Sequence, residues 1–216
     1  MAEFPSSPID PAEFFESFVP ARFAKLVLPD PLASVGLRVG VHLHGDGGGE
    51  WLYHLRDGDL EVVAGGCDEA SFTLIQSVDD WRGALWEGRG GVVAERGLRL
   101  LRSGRLTALA GGGAHSADSD LIERLAGLDG VLRAVVTDGR AGDWAIALQF
   151  GPGQVPPEPT TTVRVAHDDV HAMAKGDLAP LQAFLAGRVS IAGDLLLAMQ
   201  LHALISELRE ARRAGP

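Results

Sequence analysis

Apolar and polar residues alternate along "VGLRVGVHLHG" and again along "EWLYHLRDG", and the Gly-rich connection Asp46–Gly49 makes this pair a β-hairpin. "DLEVVAGG" and "ASFTLIQS" continue the strand pattern, which resumes beyond residue 130 in "VLRAVVTDG", "DWAIALQFG", "TTTVRVA" and the short "RVSIAGD". Between these runs the spacing turns helical. "DPAEFFESFVPARFAKLVLP" opens with Asp10 as cap and Pro11 at the first helical position, and Pro20 is expected to break or kink that helix. "SVDDWRGALWEG" predicts a short helix capped by Ser77 or Asp79. Further helices are expected in "AHSADSDLIERLAGLDG", "HDDVHAMAKG", "LAPLQAFLAG" and the C-terminal stretch, while "RGGVVAERGLRLLRSGRLTALAGGG" has no firm period. The Pro-rich "GPGQVPPEPT" (151–160) predicts a loop where the first half of the chain has a strand.

The terminal helix departs from an amphipathic pattern. From Leu195 to Ile205 only Gln200 and His202 are polar. A surface helix needs one apolar stripe, whereas apolarity on nearly every side implies burial on two faces. One face can meet a sheet; the other requires a second domain, a partner or a ligand.

The order of elements reads as repeated. "GLRVGVHLHGDGGGEW" lies against "VLRAVVTDGRAGDW", pairing Leu37-Arg38 with Leu132-Arg133 and Trp51 with Trp144. "SVDDW" lies against "AHDDV", and "LRSGRLTALAGG" against "FLAGRVSIAGD", pairing Gly104-Arg105 with Gly187-Arg188. The matches occur in one order, which predicts two divergent α+β units over 10–115 and 116–216.

Within the second unit, "PLQAFLAGRVSIAGDLLLAMQL" runs a Pro, an apolar helix, Gly-basic, a strand with Ile-x-Gly and then Leu-Ala-Met-x-Leu. The carrying residues are Pro180, Ala183, Phe184, Gly187, Arg188, Ile191, Gly193, Leu197, Ala198, Met199 and Leu201. This segment resembles the sterol carrier protein 2 family. The resemblance implies an α+β fold, a mainly antiparallel sheet covered by helices on one side, here as a pseudo-tandem repeat. It also implies an apolar chamber for a fatty acyl, sterol-like or polyketide molecule, walled by Phe184, Leu185, Ile191, Leu195, Leu196, Met199 and Leu204, with Gln200 or His202 at a polar head group. A thioether such as Met199 suits a wall that accepts varied chains. The first unit has "ALAGGGAHSADSD" in place of the apolar helix, so the chamber is expected in the second unit or at the seam between the two.

Composition narrows the partners. The net charge of −10 argues against nonspecific binding to nucleic acid or to an anionic membrane surface. No apolar run approaches the roughly 18 residues of a membrane span, and the first residues lack a secretory pattern, so a cytoplasmic protein is expected. The single cysteine, Cys67, permits no intrachain disulfide and no thiolate zinc cluster. Richness in Ala, Gly, Leu and Arg fits a GC-rich bacterial gene.

Candidate chemistry is sparse. His42 and His44 share a strand face, and His54 joins them as a cross-strand neighbour if residue 44 pairs with 52 but lies opposite if it pairs with 51. The bland reading is exposed strand histidines. His167 and His171 have a metal-compatible spacing, but Asp79-Asp80 and Asp168-Asp169 recur in both units, which fits helix-start carboxylates better. Arg89, Arg96, Arg99, Arg102 and Arg105 are either a solvated helix face or a contact for acyl-CoA or an acidic acyl carrier protein, chiefly through Arg96, Arg99 and Arg102. No nucleophile elbow, His-Glu-x-x-His or Cys-x-x-Cys is present, so no cofactor or metal is expected. The leading reading is a non-enzymatic binder of a hydrophobic small molecule. An enzyme using His202, His171 or Asp194 in the same chamber, and a ligand-free scaffold, are the alternatives.

Overall fold

The computed structural model describes residues 4–24, 36–95, 124–125 and 127–214, with the side chains of 205 and 208–214 left aside. Eight strands form a single sheet: β1 (Leu37–His44), β2 (Gly49–Arg56), β3 (Asp59–Ala64), β4 (Phe72–Ser77), β5 (Gly130–Thr137), β6 (Trp144–Phe150), β7 (Thr161–Ala166) and β8 (Val189–Gly193). Their spatial order is β3-β2-β1-β4-β6-β5-β7-β8. Each strand matches an alternating run in the sequence, because one face of every strand is packed and alternation encodes that directly.

The two halves of the sheet are paired by one scheme. The first seven residues of β1 run antiparallel to β2, and its third to eighth residues run parallel to β4. The same positions of β5 pair in the same way with β6 and β7. By this register Leu37 corresponds to Gly130 and Val39 to Leu132. The match of Leu37-Arg38 with Leu132-Arg133 is therefore displaced by two residues, and Trp51 and Trp144, which pair with Val41 and Val136, are not equivalent. A slide of two residues keeps every side chain on its face, so alternation alone does not detect it.

β3 covers the outer edge of β2. In the second half the corresponding segment holds Pro156, Pro157 and Pro159, which cannot donate to a strand ladder. The edge of β6 left open there is taken by β4, through Phe72↔Phe150, Thr73↔Gln149, Leu74↔Leu148 and Ile75↔Ala147. Side chains lock this seam. Gln76 Nε2 donates to Ala145 O at 3.0 Å, Trp144 Nε1 to Asp80 O at 2.9 Å, and Ala145 N to Asp80 Oδ1 at 3.3 Å. Gly90, at φ +78°, lets the backbone lie on the Trp144 ring, which a Cβ there would meet at 2.6 Å.

Helices cover one face. α1 is composite: Pro11–Glu13, a π-helical stretch Phe14–Phe18, then Val19–Phe23. Asp10 Oδ1 caps it by accepting from Ala12 N at 2.8 Å. Pro20 neither breaks nor ends this helix, because the wide π turn (Val19 N to Phe14 O) precedes the ring and absorbs the clash an α turn would create. α2 (Val78–Arg82) continues into a π-helical stretch, Gly83–Glu87, and is capped by Ser77 Oγ, which accepts from Asp80 N at 2.9 Å. α3 (His167–Lys175), α4 (Pro180–Leu185) and α5 (Leu195–Ala214) follow β7 and β8. Among the described residues, no helix is long and apolar enough to cross a membrane.

Two cores result. α1 and α2 pack Phe14, Phe15, Phe18, Trp81 and Leu85 on Val41, Leu43, Trp51 and Tyr53. α5 packs Leu197, Leu201 and Leu204 on Leu128, Phe150 and Phe72. The opposite face is crossed by the 3₁₀ turn Cys67–Glu69 and by the 151–160 loop, joined where Gly153 N donates to Asp68 O at 2.8 Å.

Asp80 ties the α2 start to β6 by accepting from both Ser77 Oγ and Ala145 N. Asp80→Ala is expected to lower the unfolding free energy by about 1–2 kcal/mol, while Asp168→Ala, exposed in the first turn of α3, changes it by less than about 0.5 kcal/mol. Urea unfolding of the two variants checks this.

Candidate ligand-binding site

On the helical face the first half of the sheet, with Ile146 of β6, borders an open apolar cavity of about 450 Å³. Its floor follows the period of two: Leu37, Val39 and Val41 of β1, Tyr53 and Leu55 of β2, Leu74 of β4 and Ile146 of β6. Its roof is Phe14, Phe15, Val19 and Phe23 of α1 with Ala84 and Leu85 after α2. Tethers hold that roof in place. Tyr53 Oη donates to Phe15 O at 2.7 Å, Trp51 Nε1 to Glu16 Oε1 at 2.8 Å, and Trp86 Nε1 to Pro5 O at 2.8 Å. Phe15 also stacks on Trp51 with centroids 4.7 Å apart.

The cavity has little polar chemistry. Burial pushes the Tyr53 phenol far above its ordinary range, with the Glu16 charge adding to the shift, and its proton is committed to Phe15 O. Gln76 reaches the wall with its amide nitrogen engaged by Ala145 O, so its side-chain oxygen is the acceptor available to a head group. Volume and lining suit a small apolar molecule, since such sites span about 300–1,000 Å³ with few polar groups.

The expected wall residues lie elsewhere. Phe184 and Leu185 are on α4, Ile191 on β8, and Leu195, Leu196, Met199, Gln200, His202 and Leu204 on α5. Leu204 is in the core and Ile191 is half-buried opposite Val163. Leu185 is 76% and Met199 60% exposed, and Phe184, Leu195, Leu196, Gln200 and His202 are exposed too. α5 thus turns one face to the sheet and presents an apolar outer face among the described residues. None of these residues lines the 450 Å³ cavity. His202, His171 and Asp194 are joined by no hydrogen bond or ring contact; Asp194 caps α5, accepting from Leu196 N at 2.7 Å.

Arg96, Arg99, Arg102 and Arg105 lie outside the described residues. Arg89 is structural: it pairs with Asp79 at 2.7 Å and Glu87 at 3.0 Å, and its hydrogen bond and charge hold the Asp79 carboxyl below the usual range. His54 pairs with Arg38, a register that matches neither expected alternative and leaves it four residues along the sheet from the row of His42, on the same face. His167 and His171 lie with ring centroids 4.6 Å apart against Gly91. The cap of α3 is Ala166, and Asp169 in its first turn pairs with Arg188. Among the described residues, no three His, Cys, Asp or Glu side chains gather as a metal site. Cys67 is buried with its one S–H proton within reach of Val41 O at 3.3 Å or Trp51 O at 3.5 Å, and burial, then the Glu50 charge, pushes its thiol up.

Sequence reading missed the aromatic roof. The available signal was "FFESFV": Phe14, Phe15, Phe18 and Val19 follow the spacing of one helix face.

A mixed, mostly antiparallel sheet with helices on one face defines an α+β fold. Residues 113–206 match the model of the SCP-2 sterol transfer family. Among solved structures it is similar to the sterol carrier protein domain 2 of Helicoverpa armigera, with 23% identity over 47% of this chain and 80% of that one (TM-score 0.33). Sterol Carrier Protein 2 Like 2 from Aedes aegypti shares 22% identity over 39% and 93% (TM-score 0.26). Sterol Carrier Protein 2 from Yarrowia lipolytica, in its apo form, shares 14% over 42% and 74% (TM-score 0.29). The chain matches no curated protein.

Tyr53 is the single tyrosine, so its ionisation can be followed cleanly. Because its folded pKa lies above the unfolded value near 10, its contribution to stability is complete below about pH 10 and is lost as pH rises beyond it. Absorbance at 295 nm is expected to show no native phenolate before the alkaline unfolding seen by circular dichroism.

Proposed function

We propose that the chain binds a lipid or another hydrophobic small molecule, and that the apolar cavity between α1, α2 and the first half of the sheet is where it sits. The observation that carries this reading is the cavity of about 450 Å³ whose walls are apolar except near Tyr53 and Gln76. Burying ten methylenes there is worth about 8 kcal/mol, which offsets the lower part of an association cost of about 4–15 kcal/mol. The SCP-2 family match supports the ligand class. The reading includes two divergent units, 10–115 and 116–216, supported by the shared pairing scheme of β1 and β5. It also includes a cytoplasmic carrier role without covalent chemistry, for a fatty acyl, sterol-like or polyketide ligand.

A second location is favoured by one observation: the exposed apolar side chains Leu195, Leu196 and Met199 lie on α5, inside the family-matched segment. There Phe184, Leu185 and Ile191 are neighbouring wall candidates, with Gln200 or His202 at the head group.

Titration with a fluorescent fatty acid separates the two. Val39→Trp fills the cavity from the floor and Ala84→Leu from the roof. Each is expected to weaken binding at least tenfold with the thermal midpoint within a few degrees of the parent. Loss of binding instead in Leu196→Ala/Met199→Ala moves the ligand to α5. Absence of saturable uptake by the parent protein leaves the scaffold reading.

A further inference from the structure

The sheet face away from the helices carries a second cavity, about 430 Å³, with different chemistry. Its floor is one cross-strand row. His42 of β1 pairs with Ile75 of β4, Ile75 with Ala147 of β6, and Ala147 with Arg133 of β5. Three strand intervals place the His42 and Arg133 backbones about 14 Å apart, with the low apolar side chains of Ile75 and Ala147 between them.

One end of the row is cationic, and the other presents an imidazole nitrogen. Arg133 is exposed and, among the described residues, has no ion-pair or hydrogen-bond partner. His42 is oriented by its Nδ1 bond to Glu50 Oε1 at 2.7 Å, which leaves Nε2 for the cavity, and the His44 ring lies 6.5 Å from it. The carboxylate lining the cavity, Asp80, is already occupied by Ser77 Oγ and Ala145 N.

The remaining wall is apolar and stiff. Val155, Pro156, Pro157 and Pro159 line it, and proline rings fix the backbone there. Three hydrogen bonds anchor this loop: Gln149 Nε2 to Gly153 O at 3.0 Å, Gly153 N to Asp68 O at 2.8 Å, and Val131 N to Thr160 Oγ1 at 2.9 Å.

We propose that this cavity is a second ligand site, for a small organic anion that carries a carboxylate or phosphate on a short apolar body. The anion sits on the Arg133 guanidinium, whose planar fork matches two oxygens. The body lies on Ile75 and Ala147 beside the proline wall, and a polar group at its far end reaches His42 Nε2. A polyanion is disfavoured by the chain's net charge of −10, whereas a recess with one unpaired Arg suits a single anionic group.

The test is isothermal titration of the full chain with benzoate, phenyl phosphate and inorganic phosphate at low salt, where an exposed guanidinium is least screened. The expected result is one saturable site for phenyl phosphate and benzoate and at least tenfold weaker binding of inorganic phosphate. Arg133→Gln is expected to weaken both organic anions tenfold or more with an unchanged melting curve, Arg133→Lys to retain part of the affinity, and Ala147→Trp to abolish binding by covering the floor. Val39→Trp, which blocks only the opposite cavity, is expected to leave the affinity unchanged. No saturation by the parent chain, full affinity in Arg133→Gln, inorganic phosphate binding as tightly as phenyl phosphate, or loss of binding in Val39→Trp would each overturn the proposal.

Discussion

The pairing of β4 with β6 is the contact on which the architecture rests. Each half of the sheet ends there in a strand edge, a row of backbone donors and acceptors that must find partners. Only four residue pairs make the junction. The side-chain bonds from Gln76, Trp144 and Asp80 extend it past the point where the ladder itself ends. A Pro-rich loop in place of a strand is what leaves β6 free for this role. The prolines therefore determine the sheet's continuity by what they prevent.

Both cavities straddle that seam. Strand alternation sends Leu74 and Ile146 to the helical face and Ile75 and Ala147 to the other, so one junction supplies floor to each. Gln76 borders both spaces, and its bond to Ala145 O spans the join. The two faces then diverge by what covers them. Aromatic helices give an apolar space on one side, while a polar turn and a proline loop give a recess lined with histidine and arginine on the other.

Local signals carried most of the elements. The eight strands were legible because each is half-packed, and the caps at Asp10 and Ser77 because a short polar side chain precedes an apolar helical run. The π turn ahead of Pro20 was not, since a proline in a helical pattern reads as a break unless the preceding turn widens. Nor was the seam, because edge pairing between distant strands leaves no mark in either segment. The terminal helix is two-faced, with Leu197 and Leu204 toward the sheet while Leu195, Leu196 and Met199 stay exposed among the described residues. The apolar cavity is built from other residues that look like ordinary core, and only their three-dimensional spacing distinguishes a wall from a packed interior.

That spacing has an energetic consequence. Apolar walls left facing water forgo about 25 cal/mol for each Å² they would otherwise bury, so a roof free to settle onto the floor would close the space. Two bonds from β2 fix the height of the roof, Tyr53 Oη to Phe15 O and Trp51 Nε1 to Glu16 Oε1, and Trp86 Nε1 on the roof itself ties it to Pro5 O. Aromatic donors suit this task because they fix a distance with a rigid ring while adding apolar area. An apolar occupant would bury these walls, so occupancy of the space and stability of the fold would be linked through the same tethers.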